Sequence, residues 1–547
     1  MLTEEQKQIT EKAVDNTLIV VASAGTGKTF TSIRAINNIV KEKPDSTTRI
    51  FTFNRINADE WREKIKNNGW NSNLIKADTF HALSLQYLPQ NVKSLSWKVN
   101  DGSLISQFVK KETKFKNIFY TNYQYVLQLV DLIQLYNISN INEIDRIAER
   151  HQLPDYEEYK ELAWEYLKKV EAKFKFIETG KKLHPNMGLS LTNSLYYFIK
   201  FVPDNQVEKF DYVFMDEFQD INPLYFEILK KVKKPEGNFF VVGDPKQAIN
   251  SFQGSFVSPF DSFKNYLKEN NITFEVLTLT ETFRNSKKIV EKADTVFGTN
   301  TKTSISGGTV GIKSYLEIGK SGKDEVVLCY HNKVLYQLYS HLISSGINAN
   351  FATMDFGMED VKKLTNTLKF DTMSELVLYF ERVCDMIDPS RLKNPKGNFS
   401  KITWAIYHDI KNRYTNQSKT LLSLAKKFGY LKKGEKVQKK EYNLYLFLEL
   451  TFRTLKEGKG FNGINQALDY IESIWSKPTN LTLSTIHKYK GLECDTVYLL
   501  DPKLLIQKEI DNEREISTKT CLNYVAITRA KKEFYEVIDF NEEKYKD

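Results

Sequence analysis

Val20–Thr29 reads VVASAGTGKT. An apolar, β-branched run enters a turn that holds two glycines, and a Lys-Thr pair then opens a helical pattern. Gly25 and Gly27 let the backbone approach a chain of phosphates, and successive N–H groups at a helix N-terminus favour their negative charge. Lys28 is placed to reach the β- and γ-phosphates, and Thr29 to put its hydroxyl on Mg²⁺. Ala22, Ser23, Ala24 and Thr26 complete the loop, although the usual pattern opens with Gly where this chain has Ala22. Such a loop binds a nucleotide; what the energy of hydrolysis does must be read elsewhere.

The second half of the expected site is YVFMDEFQD, residues 212–220. Its apolar part suits a buried strand. Asp216 at the strand end is expected to hold Mg²⁺, directly or through water, and Glu217 to orient and deprotonate the attacking water. An acidic turn after a strand is common, but together with the phosphate loop it points to nucleotide hydrolysis.

At 547 residues the chain exceeds one ordinary domain. A hydrophobic share of 41% and a charged share of 27% exclude a largely disordered chain. No apolar run approaches a membrane span, and the opening MLTEEQKQIT lacks a signal-peptide core. Cys329, Cys384, Cys494 and Cys521 stand far apart, which argues against a disulfide framework or zinc site and for a cytoplasmic setting. The net charge is +9, and lysines mix with aromatics in KKFGYLKKGEKVQKK (426–440) and KKVEAKFKF (168–176). Either run alone reads as a solvated face; together they lean towards a polyanionic partner.

Short β-type runs followed by helical patterns recur in two regions. LIVVAS, RIFTFN, DYVFMDE and NFFVVGD form one set, and EVVLCYH, TLSTIH and DTVYLLD the other. Their composition suits buried parallel strands, so the expected fold class is α/β, with two doubly wound lobes. The first lobe is expected at 1–90 and 205–285 and the second at 286–354 and 479–547. Residues 91–204 and 355–478 read as mainly helical insertions, as in EYKELAWEYLKKVEAKF.

With DEFQD (216–220) the reading becomes specific: the chain resembles the UvrD/Rep/PcrA-like superfamily 1 DNA helicases, motif after motif in that family's order, over residues 2–88, 211–290 and 482–531. The resemblance implies two RecA-like P-loop lobes with ATP and Mg²⁺ in the cleft between them. LTEEQ resembles the Q motif, which makes Gln6 the reader of the adenine edge. In FTFNRINADEW the resemblance puts Phe53, Asn54 and Arg55 near the DNA backbone, and TFHAL adds Thr79 and His81. GDPKQAINSFQG implies Gln247 as the γ-phosphate sensor and Phe252 as a base-stacking aromatic. LTETFRNS implies Phe283 on the adenine and Arg284 on the γ-phosphate. TIHKYKGLECDTV carries His487 towards DNA, together with Lys490 and Gly491, and Glu493 towards the ribose. YVAITRAK supplies Arg529 as the second γ-phosphate arginine. Family members usually have Tyr and Arg where Asn250 and Gln253 stand here.

The implied activity is an ATP-dependent helicase or translocase on single-stranded and tailed duplex DNA, moving 3′ to 5′. The alternative is a DNA-stimulated ATPase acting as a nucleotide-gated DNA-binding subunit of a repair or antiphage complex. A protein partner supplying a nuclease or loading function belongs to the same expectation, because no nuclease-like acidic cluster is evident. A small-molecule P-loop kinase would need neither TIHKYKGLE nor YVAITRA.

Overall fold

The computed structural model describes residues 2–88, 103–151, 153–175, 191–249, 258–352, 362, 455, 461, 463–505 and 513–540. They divide into two compact units, one within Met1–Arg284, Asn300–Ser304 and Asp511–Cys521, the other within Asn285–Thr299, Ile305–Ile510 and Leu522–Asp547.

The first unit is built on β1 (Thr17–Ala22), β2 (Thr48–Thr52), β3 (Ile75–Thr79), β4 (Phe210–Met215), β5 (Lys233–Gly243) and β6 (Phe274–Leu279), in the order β3-β2-β4-β5-β1-β6. Every pairing in this sheet is parallel. Val20 lies between Val242 of β5 and Leu277 of β6. Successive side chains of β1 face opposite ways, as the period of a strand requires. Leu18 and Val20 enter a core with Ala35, Ile36, Trp61 and Phe214. Ile19 joins a larger core on the other face with Phe51, Met215 and Phe239. Burial on both faces explains why these strands read as continuous apolar runs rather than as alternating ones.

The larger core extends without a break into the helices between β3 and β4. Leu129 and Ile133 of Tyr123–Leu135, Leu162 of Tyr156–Lys175 and Tyr197 of Leu191–Phe201 all belong to it. A short pair, β7 (Glu281–Thr282) with β8 (Lys302–Thr303), follows β6.

The second unit repeats the architecture. β9 (Thr309–Ile312), β10 (Glu325–Cys329), β11 (Asn350–Phe351), β12 (Leu481–Thr485), β13 (Cys494–Leu500) and β14 (Ala530–Val537) form a parallel sheet in the order β11-β12-β10-β13-β14-β9. Its core joins Val327, Leu483 and Tyr498 to the helices Asn332–Ser344 and Ile464–Trp475, with Tyr336 stacked on Phe351 at 4.8 Å. Among the described residues no helix is long and apolar enough to cross a membrane.

Candidate nucleotide and nucleic-acid site

The phosphate loop leaves the end of β1 and is pinned at both sides. Ser23 N donates to Leu279 O at 3.2 Å, the Thr26 hydroxyl closes back onto Ser23 O at 2.9 Å, and Phe283 N donates to Gly25 O at 2.9 Å. Gly25 and Gly27 have φ of 72° and 79°, in the left-handed region where only glycine sits without cost. Gly27 caps the helix Lys28–Glu42, so the unpaired N–H groups of its first turn face the loop. A Cβ at Gly27 would stand 3.2 Å from Gln6 Nε2. Gln6 is itself buried: its amide oxygen accepts from Thr3 N and its own N–H donates to the Thr3 hydroxyl, both at 3.1 Å. That capping box holds the Gln6 nitrogen against the loop. The Phe283 ring is 48% exposed. Phe30, one residue past Thr29, is exposed to a similar degree beneath the Arg34 guanidinium, and nothing in the motif pattern singles it out.

Thr29 and Asp216 are brought together. The Thr29 hydroxyl donates to Asp216 Oδ2 at 3.3 Å. Burial, and then the neighbouring Glu217 charge, push the Asp216 carboxyl up from its ordinary value, while Lys28 pulls it back. A hydroxyl and a half-buried carboxylate are hard oxygen donors, and two protein ligands suit Mg²⁺, which keeps waters and substrate phosphates in its shell. The residues therefore fit that ion. Among the described residues, no group of three or more His, Cys, Asp or Glu could hold a metal.

Glu217 has φ 57° and ψ 41°, a left-handed conformation that costs a non-glycine residue about 1–3 kcal/mol. Its N–H donates to Asp216 Oδ1 at 2.9 Å, and its carboxylate accepts from Gln219 Nε2 at 2.5 Å. Gln219, fully buried, accepts at Oε1 from Asp244 N at 3.0 Å. The Asp244 carboxylate takes Gln247 Nε2 at 2.8 Å and Lys246 N at 3.1 Å. Lys246 Nζ returns to the Ser23 hydroxyl at 3.0 Å. The end of β4, the end of β5 and the phosphate loop thus share one set of side-chain bonds. Gln219 and Asp244 were not among the residues expected from sequence.

The expected DNA residues of the first unit gather at the ends of adjacent strands β2 and β3, where Thr52 pairs with Thr79. Asn54 caps the helix Arg55–Asn67 by accepting Asn57 N at 2.8 Å, and Thr79 caps Phe80–Tyr87 by accepting Ala82 N at 3.1 Å. Phe53 packs edge-on to Tyr225 at 5.6 Å, and Tyr225 stacks on Phe80 at 4.2 Å. His81 is half-buried, edge-on to the same Tyr225 at 6.0 Å, and burial lowers its pKa to about 4. The Arg55 side chain is 90% exposed, with Asp59 at 3.6 Å. Phe252, with Asn250 and Gln253, lies outside the described residues. Arg284 ends the first unit, half-buried, with its N–H 3.4 Å from the Thr282 hydroxyl.

In the second unit Arg529 follows the helix that ends at Thr528 and is 1% exposed. Its guanidinium donates to Val525 O at 3.1 Å, Leu492 O at 3.2 Å and the Thr528 hydroxyl at 3.2 Å. Glu493 pairs with Lys531 at 3.0 Å. His487 is half-buried, its pKa lowered first by burial and then by Lys490.

A phosphate loop after the first strand of a parallel sheet, with an Asp-Glu pair at the end of β4, defines a P-loop nucleoside triphosphatase with RecA-type α/β architecture. The chain belongs to the UvrD/Rep/PcrA-like family of superfamily 1 helicases: residues 2–268 match the UvrD/REP helicase N-terminal domain and residues 480–535 the UvrD-like helicase C-terminal domain. It is 25% identical to YjcD of Bacillus subtilis (strain 168), over 97% of this chain and 78% of that protein. It is 22% identical to the ATP-dependent DNA helicase PcrA of the same strain, over 96% of this chain and 81% of that one. A shorter match, 25% identical over 55% of this chain and 43% of the relative, is to the ATP-dependent DNA helicase Rep of Buchnera aphidicola subsp. Baizongia pistaciae (strain Bp). The chain is thus an ATP hydrolase of the superfamily 1 helicase type.

Proposed function

We propose that this chain is an ATP-driven motor on single-stranded DNA, moving 3′ to 5′ in the cytoplasm and coupling hydrolysis to strand separation. The observation that carries the reading is the Thr29–Asp216 contact of 3.3 Å, which joins the phosphate loop to the acidic strand end. In this reading Lys28 and the loop N–H groups hold the phosphates, Gln6 reads the adenine edge and Phe283 stacks on the base. Thr29 and Asp216 would hold Mg²⁺, which supplies charge neutralisation on the phosphate oxygens when bound. Glu217 orients the water, Gln247 senses the γ-phosphate, and Arg284 and Arg529 stabilise the charge that develops as the phosphoryl group leaves. Glu493 meets the ribose.

Phe53, Asn54, Arg55, Thr79, His81, Phe252 and His487 form the strand track in the same reading. Support for a nearby track is that its first five members stand at the ends of β2 and β3, on the sheet that carries the phosphate loop. A strand-displacement assay with 3′-tailed, 5′-tailed and blunt duplexes, run beside ATPase measurements, tests the proposal. Unwinding only of 3′-tailed duplex, with ATPase stimulated by single-stranded DNA, is expected. Unwinding of 5′-tailed duplex would reverse the polarity, and an ATPase indifferent to nucleic acid would overturn the motor.

A second reading is a DNA-stimulated ATPase that serves as a nucleotide-gated component of a larger complex. Asn250 and Gln253 favour it, because they stand where the family has an aromatic and a cation for gripping the strand. In the same assay this reading predicts stimulated hydrolysis without strand separation until a nuclease or loading partner is added.

A further inference from the structure

The bonds around Glu217 go beyond holding one carboxylate. Glu217 sits at the end of β4 in a left-handed conformation, so its side chain is not set by regular secondary structure. Its carboxylate is held by Gln219, whose amide has two ends in two places: Nε2 donates to Glu217 Oε2, and Oε1 accepts Asp244 N beyond the end of β5. Asp244 in turn orients Gln247 by accepting its amide N–H. Both Gln219 and Gln247 are buried, Gln219 completely, so the bonds to Asp244 are made away from water, where a lost partner is costly, and the bond to the half-buried Glu217 is partly so. Gly243, immediately before Asp244, is shaped to this contact: a Cβ there would stand 2.3 Å from Gln219 Oε1 and 2.9 Å from Phe218 N.

We propose that Gln219 is a positioning residue that ties the water-orienting carboxylate of Glu217 to the Asp244–Gln247 loop. A shift of Gln247 towards a γ-phosphate then moves Asp244, and Gln219 passes the shift to Glu217. The inference rests on the reading of Glu217 as the base and Gln247 as the sensor. It adds that the two act as one unit through a residue that touches neither nucleotide nor DNA.

The test uses the full chain with saturating single-stranded DNA. Gln219→Glu keeps the acceptor for Asp244 N but replaces the donor facing Glu217 with a second carboxylate. Turnover is expected to fall by about 10–100-fold, while the affinity for a non-hydrolysable ATP analogue stays within about threefold, a split that a merely structural role would not give. In a Glu217→Gln background the same substitution should cost almost nothing further, because Gln219 acts through Glu217. Where Gln219→Glu does not fold, Gln219→Met, of similar length without the polar ends, is read in the same way. Parent turnover in both Gln219 variants, or a full multiplicative loss on top of Glu217→Gln, would overturn the inference alone. Parent turnover in Glu217→Gln would overturn the reading beneath it as well.

Discussion

The Thr29 hydroxyl donates to the Asp216 carboxylate at 3.3 Å across 187 positions of sequence. Asp216 is a half-buried acid beside a second acid, and both conditions disfavour its charge. An acid whose folded pKa is raised contributes stability only while it is protonated, and that contribution is lost as pH rises through the folded value. At pH 7 the charged Asp216 therefore opposes folding of the nucleotide-free protein. Asp216→Asn should stabilise that form by about 1–3 kcal/mol while reducing Mg²⁺-dependent hydrolysis to background. Thermal melts and ATPase rates on the same sample check this; a destabilised variant would show that Thr29 depends on the carboxylate more than burial penalises it.

Arg529 gives a different pattern from Lys28. If its ammonium holds the phosphates from within the loop, as proposed, Lys28→Ala should weaken nucleotide binding itself. Arg529 is buried against Val525 O, Leu492 O and the Thr528 hydroxyl. Arg529→Ala leaves those acceptors short of a donor and should cost about 1–3 kcal/mol of stability. Its larger effect should be on turnover, a fall of about 10³–10⁵-fold with most nucleotide affinity retained. Urea titrations beside single-turnover hydrolysis separate the two. If Arg529→Ala hydrolysed ATP at the parent rate, Arg529 would be a helix-end residue and nothing more.

The parts of this site that were legible in sequence are those in which local chemistry decides. Gly25 and Gly27 are needed for positive φ, and Lys28-Thr29 open a helix, so the loop can be read from ten residues. The strands read clearly because burial on both faces keeps polar residues out of 18–22 of β1, 212–215 of β4 and 239–243 of β5. Gln219 was not legible as a bridge, because its acceptor end meets a residue 25 positions away. The commitment of Asn54 and Thr79 to helix caps was likewise hidden behind their expected role at DNA. The short edge strand β9 was missed because four residues, TVGI, carry too little pattern to announce a strand.

His81 supplies a pH test. Its base is held neutral by burial, with a pKa lowered to about 4 from 6.5. The unfolded chain binds the proton first, so stability is full above about pH 6.5 and falls as pH drops towards 4. Between pH 7 and pH 5 the loss from this one residue should be about 1–2 kcal/mol. His81→Gln cannot titrate there and should flatten that part of the stability profile. Denaturant midpoints at the two pH values decide it; an unchanged slope would mean that His81 opens to water before the chain unfolds.

Arg55 separates a DNA contact from a structural one more cleanly than its neighbours do. Phe53 packs on Tyr225, and Asn54 and Thr79 cap helices, so their loss would disturb the fold and the track together. Arg55 has a side chain 90% exposed, and Asp59 at 3.6 Å is a surface pair of little worth. Arg55→Ala should therefore change stability by no more than about 0.5 kcal/mol. If its guanidinium meets a phosphate of the strand, the variant should bind single-stranded DNA more weakly. One fewer counterion would then be released, and the slope of log affinity against log salt should shrink by about 0.7. Fluorescence titrations of a labelled oligonucleotide across a salt series measure both quantities. A weaker affinity with the parent slope would point to a non-ionic cause, and parent affinity with the parent slope would remove Arg55 from the strand track while leaving the nucleotide site as it is.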